Sequence, residues 1–141
     1  MGKCYNSVTI NAPGDQVWNA IKDFHEMSWA TGVITSVEKD GEIAGDTPGA
    51  MRLLNGAFHE TLISIDEEEK TFSYSIDDGP EPLSADAVQS YVGTVKVCPV
   101  TIDNTTFVEW QSDYETADDQ AVGDFCNPIY EALLSALKSY F

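Results

Sequence analysis

The sequence predicts an α+β fold in which a seven-stranded, curved antiparallel sheet wraps around one long C-terminal helix. Seven short runs of apolar or alternating residues each end at turn residues, and one segment near the C-terminus repeats apolar residues at helical spacing. No internal repeat or low-complexity linker divides the chain. Its 141 residues therefore predict a single domain, 1–141, that is long enough to bury a substantial core.

The first predicted elements are a strand and two short helices. Residues 4–11 alternate well enough to form a strand. In the next segment, Pro13 suits a first helical turn and Asp15 suits the positive end of a helix dipole. Trp18, Ile21 and Phe24 then follow at helical spacing. A second short helical turn is predicted at 26–30.

Six more strands follow the helices. Each run is bounded by turn residues, and the runs lie at 33–39, 50–54, 58–66, 71–77, 90–98 and 105–114. With the first strand they make seven, and we expect neighbours along the chain to pair in one antiparallel sheet. The longer Pro-rich segment 77–89 is predicted to be a loop or a lid.

The last element is predicted to be a long helix over 119–140. Asp118 and Asp119 lie at its positive end and Lys138 lies near its negative end, and Pro128 is expected to kink it. Its wide apolar stripe consists of Val122, Phe125, Cys126, Ile129, Tyr130, Leu133, Leu134 and Leu137. One helix does not fill a curled sheet completely, so we expect a cavity between the two.

The charge of the chain excludes several classes of partner. The net charge is −17, whereas nucleic acids and anionic membranes attract Lys and Arg. No apolar run approaches the roughly 20 residues of a membrane span, so membrane insertion is not expected. The acidic surface favours a monomer, although the sequence leaves the oligomeric state open.

The number of cysteines indicates the cellular compartment, and the missing motifs indicate whether a cofactor is expected. The three cysteines are widely separated, and their odd number predicts reduced thiols in a cytoplasmic protein. The sequence has no paired metal ligands, no P-loop and no Ser-His-Asp arrangement. We therefore expect neither a metal nor a cofactor.

The stretch MRLLNGAFHETL, 51–62, predicts a hairpin that carries a charged pair. A two-residue turn would pair Arg52 with His59, whereas a three-residue loop at 55–57 pairs Arg52 with Glu60. The three-residue loop is favoured because it also places Leu54, Phe58 and Leu62 on one face and makes the inward face the more apolar one. Arg52 and Glu60 would then be cross-strand partners on the concave face. They would either only hold the hairpin or also orient a ligand or move a proton.

The remaining candidate cavity residues follow from periodicity. Strand alternation points Phe72, Tyr74, Tyr91 and Trp110 toward the inner face. The helical stripe brings three more side chains to the same space, namely Phe125, Ile129 and Tyr130. With the hairpin residues, these are the predicted ligand contacts. The alternative for each tyrosine is an ordinary core aromatic whose hydroxyl is hydrogen-bonded.

Several motifs together resemble a known superfamily. They are INAPGDQVWNAIKDF at 10–24, MRLL at 51–54, HETLISIDEEEKTFSYSI at 59–76, YVGTVKVCPV at 91–100, TFVEWQSDYE at 106–115 and the final helix. On these residues the chain resembles the START-like or SRPBCC superfamily, and within it the polyketide cyclase/dehydrase and lipid-transport family. The resemblance implies the helix-grip fold over nearly the whole chain, and a cavity for apolar or amphipathic small molecules.

The resemblance also implies roles for the hairpin pair. In relatives, an arginine near the position of Arg52 and a glutamate at the position of Glu60 line or approach the cavity. A synthase-like branch is thought to use the pair in chemistry, whereas in a receptor-like branch the glutamate contacts the ligand through water. The receptors' gate sequence SGLP and latch sequence HRL are absent here, so hormone reception by that mechanism is not expected.

Three functional hypotheses result from these observations. The first is a protein that binds a small apolar or aromatic molecule between sheet and helix, gated by 77–89 and by the loop near 29–33. The second is a cofactor-independent cyclase, dehydratase or isomerase, in which Glu60 is the general acid or base and Arg52 stabilises a developing anion. The third is a protein-interaction module that uses the acidic surface or the lid.

Overall fold

A computed structural model describes all 141 residues, and its sheet contains the seven predicted strands. The elements are β1 (Gly2–Ile10), α1 (Gly14–Ile21), β2 (Val37–Asp40), β3 (Met51–Leu54), β4 (Phe58–Asp66), β5 (Thr71–Asp78), β6 (Val88–Val100), β7 (Thr105–Thr116) and α2 (Asp119–Tyr140). The sheet order is β1-β7-β6-β5-β4-β3-β2, and every pair is antiparallel. The prediction of one antiparallel sheet with a long C-terminal helix is confirmed.

One short helix follows β1, where the sequence predicted two. The second predicted helix, at 26–30, is a series of turns in which Ala30 N–H donates to Met27 O and Val33 N–H donates to Ala30 O. Gly32 then adopts a left-handed conformation, with φ of +82°, which stops a helix from continuing. The strand predicted from 33 consequently begins only at Val37.

Helix α2 packs its apolar stripe against the concave face of the sheet. Asp118 caps its N-terminus by accepting a hydrogen bond from Ala121 N–H at 3.1 Å. Asn6 of β1 donates to Asn127 of α2 at 3.0 Å, which fixes the helix beside the first strand. Neither helix has an apolar stretch of the length that crossing a membrane requires.

The hairpin β3–β4 has the three-residue loop that the sequence favoured. Arg52 lies opposite Glu60 and Leu54 lies opposite Phe58. Asn55 and Gly56 both have positive φ, at 54° and 65°, the region that Asn and Gly tolerate best. This register brings a cation and an anion to the same point of the concave face.

A glycine on β6 makes room for an aromatic ring on that face. Gly93 lies opposite Tyr74 of β5. A Cβ atom at Gly93 would come 2.4 Å from the ring of Tyr74, far inside van der Waals contact. The missing side chain thus lets Tyr74 lie across the sheet and reach toward α2.

Candidate functional site

A small cavity of about 40 Å³ lies between the sheet and α2. Eight of its fourteen lining residues were predicted from the sequence to contact a ligand. They come from β3, β4, β5, β7 and α2, and they are Arg52, Leu54, Phe58, Glu60, Tyr74, Trp110, Ile129 and Tyr130. Strand alternation and the helical stripe therefore located most of the wall.

Six lining residues were not among the predicted contacts. Three of them lie in regular elements whose inner faces the periodicity had already identified, namely Ile76, Cys126 and Leu133. The other three, Met27, Ile34 and Leu83, come from loops. Residues in loops carry no periodic signal that shows which way they point, so sequence reasoning had no means of finding them.

Four predicted contacts lie outside the cavity wall, and their touching a ligand stays a prediction. Leu62 and Phe72 are buried in the core, where the Phe72 ring lies 6.3 Å from Trp18. Phe125 is half-buried and packs its ring against Phe58 at 6.3 Å. The Tyr91 hydroxyl contacts the hydroxyl of Tyr130. These side chains do not line the cavity, and they pack in the surrounding core.

Arg52 and Glu60 form a buried ion pair at the polar end of the cavity. Arg52 is 4% exposed and Glu60 is 6% exposed. Arg52 Nε and Nη2 both donate to the same carboxylate oxygen, Oε1 of Glu60, at 2.9 Å and 2.7 Å. Arg52 Nη1 donates to the backbone oxygen of Phe24 at 2.9 Å, and the guanidinium lies 3.7 Å above the centre of the Phe24 ring. All three guanidinium nitrogens are therefore hydrogen-bonded.

The second carboxylate oxygen of Glu60 is free. Oε2 accepts no hydrogen bond from the protein. It is not one of the fully buried polar atoms that lack a partner. Glu60 lines the cavity, and this oxygen is the acceptor of its carboxylate that remains available. Burial raises the pKa of the Glu60 carboxyl above its usual range, and the attraction of Arg52 opposes that rise.

A chain of hydroxyl groups borders the other side of the cavity. Trp110 Nε1 donates to the hydroxyl of Tyr74 at 2.9 Å. The hydroxyls of Tyr74 and Tyr130 lie 3.1 Å apart, and Tyr130 also contacts the hydroxyl of Tyr91. Trp110 and Tyr130 stack with ring centres 5.2 Å apart. The chain therefore runs from β7 through β5 and α2 to β6.

The tyrosine hydroxyls of this hydrogen-bonded chain, and the nearby Cys126 thiol, stay protonated near neutral pH. Burial raises the pKa of Tyr74, Tyr91 and Tyr130 well above the usual tyrosine range. Burial also raises the pKa of the Cys126 thiol to about 11, which leaves it a poor nucleophile. Tyr74 and Tyr130, which line the cavity, can thus donate hydrogen bonds to a ligand.

The cavity is much smaller than a small-molecule site. Such sites typically measure about 300–1,000 Å³, whereas this one measures about 40 Å³. Leu83, from the loop between β5 and β6, is 1% exposed and occupies part of the space. A ligand of ordinary size therefore fits between the sheet and α2 only if loop side chains such as Leu83 move.

Trp29 lies where the inner core meets the surface. It lines an open groove between the 29–33 loop and the C-terminal half of α2, and its ring centre lies 6.4 Å from that of the cavity residue Trp110. Its indole N–H is buried and has no acceptor. An unpaired buried donor costs about 1–3 kcal/mol of stability.

The histidines and cysteines do not form a second site. His59 is exposed on the outer face, as the register predicted, and His25 lies 2.9 Å from the backbone oxygen of Met51, outside the cavity. All three cysteines are free thiols. The structure contains no cluster of three or more His, Cys, Asp or Glu side chains that could hold a metal ion.

Comparison with known proteins identifies the family. The sequence model described as polyketide cyclase / dehydrase and lipid transport matches residues 1–141. The chain belongs to this family. No curated protein matches it.

Solved structures agree with membership of the polyketide cyclase/dehydrase and lipid-transport family. A protein of Nitrosospira multiformis is 45% identical with a TM-score of 0.95, and the match covers 99% of this chain and 95% of that one. Ginseng major latex-like protein 151 from Panax ginseng is 18% identical, with a TM-score of 0.76 and coverage of 99% and 96%. Norcoclaurine synthase from Thalictrum flavum, in complex with dopamine and hydroxybenzaldehyde, is 16% identical, with a TM-score of 0.71 and coverage of 97% and 84%. At these identities the plant proteins show the shared fold alone, which is the helix-grip fold that the sequence resemblance implied.

Proposed function

We propose that this member of the polyketide cyclase/dehydrase and lipid-transport family binds a small apolar or aromatic molecule between its sheet and α2. The observation that carries the proposal is an almost wholly apolar cavity that ends in a carboxylate oxygen without a partner. A carboxylate oxygen without a donor at the wall of an apolar cavity can accept a hydrogen bond from a bound molecule. A ligand with a polar end fits both requirements.

Entry to the cavity requires movement of two loops. The loop between β5 and β6 contributes Leu83, and the loop between α1 and β2 contributes Met27 and Ile34. Trp29, with its unpaired N–H, lies on the second loop. We infer that these two segments form the lid. We further propose that the protein carries its ligand as a monomer in the cytoplasm, as the acidic sequence and the odd number of cysteines predicted.

Native mass spectrometry tests the binding function directly. The purified protein should retain a small-molecule mass under gentle conditions and lose it on denaturation. Arg52→Ala should abolish retention, since it removes the charge that holds Glu60 in place. Lys39→Ala, which removes an exposed cation opposite Arg52 on β2, should keep it. A clean mass for the wild type, together with no binding of benzene or toluene in NMR titrations, would contradict the proposal.

Acid–base catalysis in the same cavity is a second candidate function. The free Oε2 of Glu60, the raised pKa of its carboxyl and the neutral tyrosine hydroxyls nearby favour it. If the retained compound is turned over, Glu60→Gln should lower turnover by about 100-fold or more and change binding only a few-fold. Chromatography of reaction mixtures measures the first quantity and titration measures the second. Equal turnover in the two proteins would exclude Glu60 from the chemistry.

The interaction-module hypothesis gains no comparable support. It expected an exposed apolar patch beside 77–89. The large apolar side chain of that segment, Leu83, is buried instead. The exposed large apolar residues lie elsewhere in the chain.

A further inference from the structure

We infer that the polar end of the ligand is a neutral hydroxyl group on an aromatic ring, as in a phenol, and not a carboxylate or an amine. The inference rests on the proposed function, because it names the class of ligand for the same cavity. It depends on which polar atoms of the wall are already used and which remain available.

The free atom at the ion pair accepts hydrogen bonds. Glu60 Oε2 has no donor, whereas the three nitrogens of Arg52 already donate to Glu60 and to Phe24 O. A ligand carboxylate would add a second negative charge beside Glu60, while the charge of Arg52 is already paired, which is unfavourable in a buried site. A group with an O–H or N–H instead gives Oε2 the donor that it lacks.

The tyrosine chain can offer a donor to the same ligand group. The indole of Trp110 is a donor only, so the oxygen of Tyr74 accepts from it. The Tyr74 hydrogen then points either to Tyr130 or, when Tyr130 donates to Tyr74, away from both neighbours. Tyr74 lines the cavity beside Glu60. A ligand hydroxyl can therefore donate to Glu60 and accept from Tyr74, which a methyl group cannot do.

The charge balance of the site disfavours an ammonium group. Arg52 and Glu60 together are neutral, with their charged atoms 2.7 Å apart. An added cation would lose its hydration without an unpaired anion to replace it. The aromatic part of the ligand follows from the walls, since Phe58, Trp110 and Tyr130 present rings to the cavity.

Three aromatic probes test the inference on the full chain. Phenol and toluene are isosteric and differ only in a hydroxyl against a methyl group, whereas the anionic probe, benzoate, is larger by two non-hydrogen atoms. NMR titrations with wild type and with Leu83→Ala, whose cavity is larger, should show phenol binding about tenfold more tightly than toluene. Benzoate should show no binding at the same concentrations. Toluene is the more apolar molecule, so a preference for phenol cannot come from hydrophobic transfer alone.

Two variants assign the preference to named groups. Glu60→Gln should reduce the ratio of phenol to toluene affinity by about tenfold. Tyr74→Phe should reduce the same ratio by about threefold. If Glu60→Gln does not fold, the ratios of phenol to toluene affinity in Tyr74→Phe and in the wild type still test the inference. Toluene or benzoate binding as tightly as phenol would overturn this inference and leave the proposed function intact. Failure of every probe, in Leu83→Ala as well, would overturn this inference, and together with a clean native mass for the wild type it would overturn the proposed function too.

Discussion

Replacing Arg52 with methionine should lower the free energy of unfolding by about 3–5 kcal/mol at neutral pH. Methionine fills much of the space of the arginine stem, but it leaves Glu60 as a buried charge without a partner. Glu60 is 6% exposed and accepts both of its hydrogen bonds from Arg52. Urea denaturation followed by circular dichroism gives the free energy of unfolding.

The loss of unfolding free energy in Arg52→Met should increase as the pH rises. Burial raises the folded-state pKa of Glu60 above its unfolded value, and removing Arg52 raises it further. A carboxyl with a raised folded pKa contributes stability below its unfolded pKa and loses that contribution as pH rises through the folded pKa. The deficit of Arg52→Met should therefore be small near pH 5 and grow toward pH 7.5.

Two comparisons separate this effect from simple damage to the core. Adding Glu60→Gln to Arg52→Met removes the buried charge, so it should recover stability at pH 7.5 and flatten the pH dependence. Lys39→Met, on the neighbouring strand, should change the free energy of unfolding by less than about 0.5 kcal/mol because Lys39 is exposed. A deficit that is independent of pH would show that packing, not charge, is lost in Arg52→Met.

Replacing Leu83 with alanine should destabilise the protein and improve binding at the same time. Leu83 is 1% exposed and lines the cavity, so its truncation should lower the free energy of unfolding by about 2–5 kcal/mol. The space that it leaves adds to a cavity of about 40 Å³. Toluene and phenol should therefore bind more tightly to the variant than to the wild type, as measured by NMR titration.

Leu137→Ala is the matched control for this effect. Leu137 is also a leucine with 1% exposure, and it does not line the cavity. It should lose similar stability and gain no affinity for either probe. An equal gain in both variants would mean that general loosening, and not removal of a plug from this cavity, explains the binding. No gain in Leu83→Ala would remove Leu83 from the proposed lid.

Local patterns predicted the parts of the molecule that regular structure determines. The alternation of β5 placed Tyr74 inward, and the three-residue hairpin loop brought Arg52 opposite Glu60. Both follow from the two-residue period of a strand, which leaves only two choices for each side chain. The resemblance to the family added the expectation that this pair reaches the cavity.

The size of the cavity and its closure could not be predicted in the same way. They depend on Met27, Ile34 and Leu83, which lie in loops where no period fixes direction. The hydroxyl chain also depends on distances between three separate strands and α2. Such distances come from tertiary packing, of which a single sequence carries no direct record. For the same reason the turns at 26–30 were predicted as a helix.

The pairing of the first strand with the last has a consequence for the order of folding. Strands β2 to β6 each pair with the next strand along the chain, whereas β1 pairs with β7, and Cys4 contacts Tyr114 across 110 residues. Loop-closure entropy makes such distant contacts slow to form. During synthesis, β1 therefore has no strand to pair with until β7 has left the ribosome. The cavity between the sheet and α2 is then the last part of the molecule to be enclosed.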